Sequence, residues 1–280
     1  MKTVGYYNGE IKTVEELKIP ALDRAVYFGD GVYDVVICKN KKPFTLDLHI
    51  ERFYNSCRAL KINFSMPKAE LKTLLNQLIG MADDADTMVY WQASRGTAAR
   101  KHEFPAETVK PNLLIMITPL KMKDMKKPLR LITVEDTRFL HCDIKTINLI
   151  PNVMAAQKAA EANCQEVVFH RGDRVTECAH SSLFLFENGK VVMPPLDEYI
   201  LPGITRKVVA QLCEANGIIC EERIFTLQEM MQADEILVAS TTKNFAPVEE
   251  IDGNKVGGKD AELLARLQRL FMEELNRQTV

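Results

Sequence analysis

The chain has 280 residues, 46% of them hydrophobic and 26% charged, which is enough for two modest domains, each with a real core. Its 36 basic and 38 acidic side chains leave a formal charge of −2, which argues against a nucleic-acid footprint or a basic membrane-surface patch. Seven cysteines with no CxxC pair read as reduced, packed thiols. The N-terminus lacks a signal-peptide core, and no run approaches the roughly 18 apolar residues that span a bilayer, so a cytoplasmic protein without membrane partners is expected.

Taken in chain order, Tyr6–Ile11 reads as a hairpin, with Asn8-Gly9 supplying the positive-φ turn. Gly29-Asp30-Gly31 opens a β-rich run through Ile37. Asp47 can cap a helix reaching about Leu60, which puts His49 and Arg52 one turn apart on one face. In the next helix Pro67 stands near the start, and Leu71, Leu74, Leu75, Leu78 and Ile79 keep helical spacing. Met88–Ser94 and Asn112–Thr118 read as strands of the same unit. Residues 121–128 are charged, aperiodic and closed by Pro128, so they are the expected linker between an N-terminal α/β domain (1–120) and a C-terminal one (129–280).

Beyond the linker, Leu129–Val134 and the run to Ile150 look extended, and an alanine-rich helix follows over Val153–Ala162. Glu166–His170 and the Phe184–Val192 hairpin are β signals. Thr205–Asn216 is helical with Gly217 placed to end it, and Glu235–Ala239 is a short strand. Leu263, Leu264, Leu267, Leu270, Phe271 and Leu275 stripe a final helix. The fold class is α+β in two halves.

Five blocks carry chemistry. Lys145 sits in Cys142-Asp143-Ile144-Lys145-Thr146-Ile147-Asn148, flanked by apolar residues. By itself it reads as a strand lysine facing water. An amine that bonds to an aldehyde works in its neutral form, which apolar surroundings favour. Glu177 ends Val175-Thr176-Glu177, where an exposed strand carboxylate is the ordinary reading. Gly203-Ile204-Thr205 opens a helix whose free N–H groups could face an anion, or could be a plain helix start. Ser240-Thr241-Thr242 is a hydroxyl-rich turn. In Arg95-Gly96-Thr97-Ala98-Ala99-Arg100-Lys101-His102, Arg100 and His102 alternate and can point one way, or form a solvated basic loop.

In this order the blocks resemble the cofactor site of the class IV, or fold-type IV, pyridoxal-phosphate (PLP) aminotransferases, over about Asp23 to Gly253. The Arg100-x-His102 run is similar to that of the D-amino-acid aminotransferases among them. The resemblance implies a two-domain fold, each domain a mixed sheet or barrel with packed helices, and PLP between the domains. It implies that Lys145 is the catalytic, cofactor-bonded amine and that Glu177 partners the ring nitrogen. Arg52, Ile204, Thr205 and Thr241 would bind the phosphate, with Ser240 nearby, Leu201 against the ring and His49 in support. Tyr33, Arg100 and His102 would bind the substrate carboxylate, the last two across a homodimer interface.

The implied reaction is transamination between a D-amino acid and a 2-oxo acid, of the D-alanine and 2-oxoglutarate type. The alternatives are a branched-chain L-amino-acid aminotransferase or an aminodeoxychorismate lyase on the same site, or a non-catalytic PLP carrier. Cys178-Ala179-His180 departs from the family, which often has glycine and serines there, and Ser182 stands where asparagine is common. His141, His170 and His180 read as strand or surface residues. No HExxH or paired Cys/His spacing occurs, so no metal is expected, and the absence of GxGxxG and P-loop patterns argues against a dinucleotide or NTP enzyme.

Overall fold

A computed structural model describes residues 1–122, 124–241 and 244–280. Lys123 of the expected linker and Thr242 of the expected hydroxyl turn lie outside the described residues. The chain divides into two compact units. Unit one comprises Met1–Met122, Ile144–Asn148 and Asn276–Val280, and unit two comprises Lys123–Asp143 and Leu149–Leu275. Lys145 therefore belongs to unit one, whereas the sequence reading put it in the C-terminal half.

Unit one contains β1 (Val4–Tyr7), β2 (Glu10–Lys12), α1 (Arg24–Phe28), β3 (Gly31–Lys39), β4 (Lys42–Pro43), α2 (Leu46–Ala59), α3 (Lys68–Met81), β5 (Thr87–Ser94) and β6 (Asn112–Pro119). Its sheet runs β2-β1-β6-β5-β3-β4, with every pairing antiparallel. The expected first hairpin forms, with Tyr7 opposite Glu10 and positive φ at Asn8 and Gly9. Helices α2 and α3 bury Ile50, Phe53, Leu71, Leu75 and Leu78 in one core with Val36, Val89, Trp91 and Ile115 of the sheet. The sheet alternation and the helical stripe meet there, which is why those periodicities were readable.

Two local expectations fail. The residue capping α2 is Thr45, in the left-handed region, and Asp47 lies in the first turn, paired with Lys72 at 2.7 Å. A carboxylate still suits that end of the helix dipole. The run to Ile150 is not a strand. Residues 144–148 instead lie irregularly along β3, with one isolated β-bridge between Val32 and Thr146. Gly31 permits this approach: a Cβ there would stand 2.7 Å from the Ala93 carbonyl and 3.0 Å from Ile147 Cδ1.

Unit two contains β7 (Leu129–Glu135), α4 (Ile150–Glu161), β8 (Glu166–Arg171), β9 (Arg174–Cys178), β10 (Ser182–Glu187), β11 (Lys190–Met193), α5 (Ile204–Ala215), β12 (Cys220–Glu222), α6 (Leu227–Gln232), β13 (Glu235–Ser240), β14 (Asn244–Ile251), β15 (Asn254–Lys255) and most of α7 (Ala261–Thr279). Its mixed sheet runs β12-β11-β10-β13-β14-β7-β8-β9, with β15 on β14. The β11/β12, β14/β7 and β7/β8 pairs are parallel. Val168, Leu183, Leu185, Phe225, Ile236 and Val238 fill one core, and α4 adds Ala155 and Ala159 to another with Val167 and Phe169. The α7 stripe buries Leu263, Leu267, Phe271 and Leu275. No helix among the described residues is long and apolar enough to cross a membrane.

Candidate active site

In unit one, Lys145 is held by its backbone. Its N–H donates to Ser56 Oγ at 3.2 Å, and its carbonyl accepts from Tyr33 N at 3.0 Å. Ile147 N donates to the Gly31 carbonyl and Asn148 Nδ2 to the Gly29 carbonyl. An irregular segment pinned at four points presents one side chain reproducibly. The Lys145 amine reaches the Tyr33 hydroxyl at 3.3 Å and lies 4.3 Å from that ring's centroid. Tyr33 stacks on Tyr90, with centroids 5.4 Å apart. The expected apolar flank is only partly present: Ile144 packs on the unit-one core, but Ile150 is 72% exposed.

His49 and Arg52 share a helix face as expected, and what joins them is Asp34, which sequence reading passed over. Arg52 donates to it through Nε at 2.9 Å and Nη2 at 2.7 Å, and His49 Nδ1 lies 2.7 Å away. Asp34 has no exposed surface. Burial would raise its carboxyl, but the Arg52 and His49 interactions outweigh that and hold it well below the usual carboxylate range. Burial lowers the His49 imidazole below its ordinary value; Asp34 opposes this, and Arg52 and Lys145 add to the lowering. A signal for Asp34 was present: it falls between Val32 and Val36 on the buried face of β3, and a buried carboxylate needs cations.

Arg100 and His102 also come together. Both lie on Phe28 of α1, the guanidinium 5.1 Å and the imidazole 5.0 Å from its centroid, in a stretch without regular structure. Both side chains are exposed, and among the described residues Arg100 has no carboxylate within ion-pair distance.

In unit two, Glu177 on β9 is 6% exposed, against the ordinary expectation for a strand carboxylate. It accepts from Leu201 N at 3.3 Å and from Arg138 Nη1. Arg138 is the second residue that sequence reading missed, and no motif marks it. It also grips Asp136 through Nε at 2.9 Å and Nη2 at 2.8 Å, and lies 4.6 Å over the Phe169 ring. Burial would lower its guanidinium, but the Asp136 hydrogen bonds and the Glu177 charge raise it instead, so Arg138 is a fixed cation behind Glu177.

Gly203, Ile204 and Thr205 form the start of α5 as expected, and Ile204 and Thr205 are buried. A Cβ at Gly203 would meet Ser182 Oγ at 2.6 Å, so bare backbone lies against that hydroxyl. Ser182 pairs with Ala239 on β13, which leads directly to Ser240 and Thr241, both half-buried. The family departure divides in two. Cys178 and Ala179 are core residues at 1% and 4% exposure, whereas His180 occupies the turn closed by Cys178 N to the Ser181 carbonyl. Its Nδ1 is 3.3 Å from Glu166, a buried carboxylate that also accepts from Ser181 Oγ at 2.9 Å.

Comparison with known proteins places nearly the whole chain beside aminotransferases. The profile of the amino-transferase class IV family matches residues 31–251. The D-alanine aminotransferase of Staphylococcus haemolyticus is 36% identical over 269 residues, 95% of either chain. That of Bacillus licheniformis is 39% identical over 253 residues, 90% of this chain and 89% of its own. The branched-chain amino acid aminotransferase from Escherichia coli superposes with a TM-score of 0.91 at 20% identity, covering all of this chain and 96% of that one; at that identity it shows the fold alone.

Proposed function

The chain belongs to the class IV aminotransferases, and on that premise we propose that it transfers the amino group of a D-amino acid to a 2-oxo acid with PLP as cofactor, acting as a homodimer in the cytoplasm. The observation that carries this reading is the Lys145 amine, pinned through its backbone and 3.3 Å from the Tyr33 hydroxyl. Relatives named D-alanine aminotransferase, 36% and 39% identical, point to D-alanine as the amino donor; an oxo acid such as 2-oxoglutarate is the acceptor that the family resemblance implies. The donor set fits PLP: an amine for its aldehyde, a buried carboxylate at Glu177 for its ring nitrogen, and Arg52, the N–H groups of Ile204 and Thr205, and the hydroxyls of Thr205 and Thr241 for its phosphate. Leu201 would lie against the ring, with Ser240 beside it.

Bound PLP would supply an electron sink that makes the substrate Cα proton removable. Lys145 is the base that takes this proton and returns it, with the Tyr33 hydroxyl as its hydrogen-bond partner. Arg138 pairs with Glu177 and would orient its carboxylate toward the ring nitrogen. Asp34 fixes the Arg52 fork, so the phosphate contact is paid for before binding. Arg100, His102 and Tyr33 would hold the substrate carboxylate, which decides the face of Cα presented to the amine. Arg100 and His102 would do so in the partner's site.

The test is half-reaction spectroscopy on protein saturated with PLP. D-alanine should bleach the near-visible band of the lysine-bound cofactor while L-leucine leaves it intact; Lys145→Ala should lack both the band and turnover. Bleaching by L-leucine would indicate the branched-chain reaction, pyruvate from aminodeoxychorismate a lyase, and a band without any turnover a carrier. A Lys145→Ala variant with full activity would end the assignment.

A further inference from the structure

The stretch that carries Arg100 and His102 has no regular secondary structure, so local propensity does not set its path. Tertiary contacts set it instead: Ala98 is held by Leu22 and Tyr27, and two buried arginines act further along. Arg24 is 3% exposed; its Nε donates to Asp30 at 2.7 Å and its Nη1 to the Lys101 carbonyl at 2.8 Å, the residue between Arg100 and His102. The same guanidinium lies 4.9 Å from the Phe28 centroid, the ring on which Arg100 and His102 also rest. Asp30 also takes Arg95 Nε, at 2.9 and 3.1 Å, and the Arg95 guanidinium lies 3.7 Å over Phe104. One aspartate thus orients two buried forks, one held to Lys101 between Arg100 and His102 and the other stacked on Phe104.

We propose that Arg24 is a positioning residue for the substrate carboxylate, acting through Arg100 and His102. The inference rests on the carboxylate-binding reading of that pair. Arg24 spends its own charge on Asp30, whereas Arg100 has no carboxylate within ion-pair distance among the described residues, so an incoming anion is directed to Arg100. A planar fork can serve Asp30 and the Lys101 carbonyl together; a lysine ammonium in its place is a single point charge on a flexible stem. Loosening the tether spreads the Arg100 and His102 positions without altering Lys145. The effect falls on binding of both the amino acid and the oxo acid, which share the carboxylate.

The experiment is a double-mutant cycle on the holoenzyme with Arg24→Lys, Arg100→Met and the double variant. Arg24→Lys should raise KM for D-alanine and 2-oxoglutarate about tenfold and leave kcat within about twofold. In the Arg100→Met background it should add little to KM, and trypsin should cleave after Lys101 faster in Arg24→Lys than in the parent. Unchanged KM in Arg24→Lys, beside a raised KM in Arg100→Met, overturns the inference and leaves the carboxylate reading standing. Full, independent effects of the two substitutions also overturn it, because Arg24 would then act elsewhere. Unchanged KM in Arg100→Met overturns the carboxylate reading and the inference with it.

Discussion

Arg52 grips Asp34 with two nitrogens, Nε to one carboxylate oxygen at 2.9 Å and Nη2 to the other at 2.7 Å, on a carboxylate with no exposed surface. Nothing near either residue in sequence names its partner, although the alternation of β3 marks Asp34 as buried. It ties the cation assigned to the phosphate to the middle strand segment that also carries Tyr33 and receives the Lys145 loop.

Removing the Asp34 charge strands a buried guanidinium. Asp34→Asn should destabilise the protein by about 3–5 kcal/mol, as a broken buried pair does, and weaken PLP binding. Because the folded carboxyl is depressed, its stabilisation is complete above the ordinary carboxylate pKa and is lost as pH falls through the folded value. Urea titrations at neutral and acid pH check this: wild type should lose its advantage over the variant on acidification. An equal advantage at all pH values would count against the pair.

His49 acts with a different pH window. Its folded pKa is lowered by burial, so as pH drops through about 6.5 the unfolded chain takes up a proton that the folded ring resists. Wild type should therefore lose stability between about pH 7.5 and 5.5, by at most about 1.4 kcal/mol per pH unit from this group. His49→Gln should flatten that slope. An identical slope in the variant would show that His49 is not the group responsible.

Gly203 has ordinary extended backbone, φ −63° and ψ 133°, so a substitution there is limited by space and not by conformation. Gly203→Ala should push against Ser182 Oγ, where the added carbon would stand at 2.6 Å, and should raise the Kd for PLP. The Gly203→Ala/Ser182→Gly double variant should recover binding, because the colliding atom is gone. Dissociation constants from absorbance titration decide; no loss in the single variant would mean that the helix start does not meet the cofactor.

Of Cys178, Ala179 and His180, only His180 is exposed, and Glu166 holds its Nδ1. Replacing it by serine should redistribute kcat/KM between acidic and small apolar D-amino acids by about tenfold, the scale of one side-chain contact. Equal kcat/KM across all substrates in His180→Ser would remove it from the pocket.

Much of the fold is written locally. The Asn8-Gly9 and Asn188-Gly189 turns, the α3 stripe from Leu71 to Ile79 and the α7 stripe follow from spacing over a few residues, and each forms as read. The failures have distant causes. Asp47 has the side chain of a cap, but the chain enters α2 through a left-handed Thr45 whose N–H is taken by Gln278, a partner at the far end of the chain. Residues 144–148 look extended in sequence, yet they are pinned to β3 as an irregular segment because Gly31 leaves room for them.

The sequence by itself determined which groups are on offer for the chemistry: an amine at Lys145, a carboxylate at Glu177, a helix start at Gly203-Ile204-Thr205, and the Arg100-x-His102 pair. Only the tertiary structure decided what holds them. Asp34 lies 18 residues from Arg52, Arg138 lies 39 from Glu177 and Arg24 lies 77 from Lys101. Such partners carry no periodic signal, because hydrogen bonds and burial act through space, and a buried charge finds its counter-charge only when strands and helices have packed.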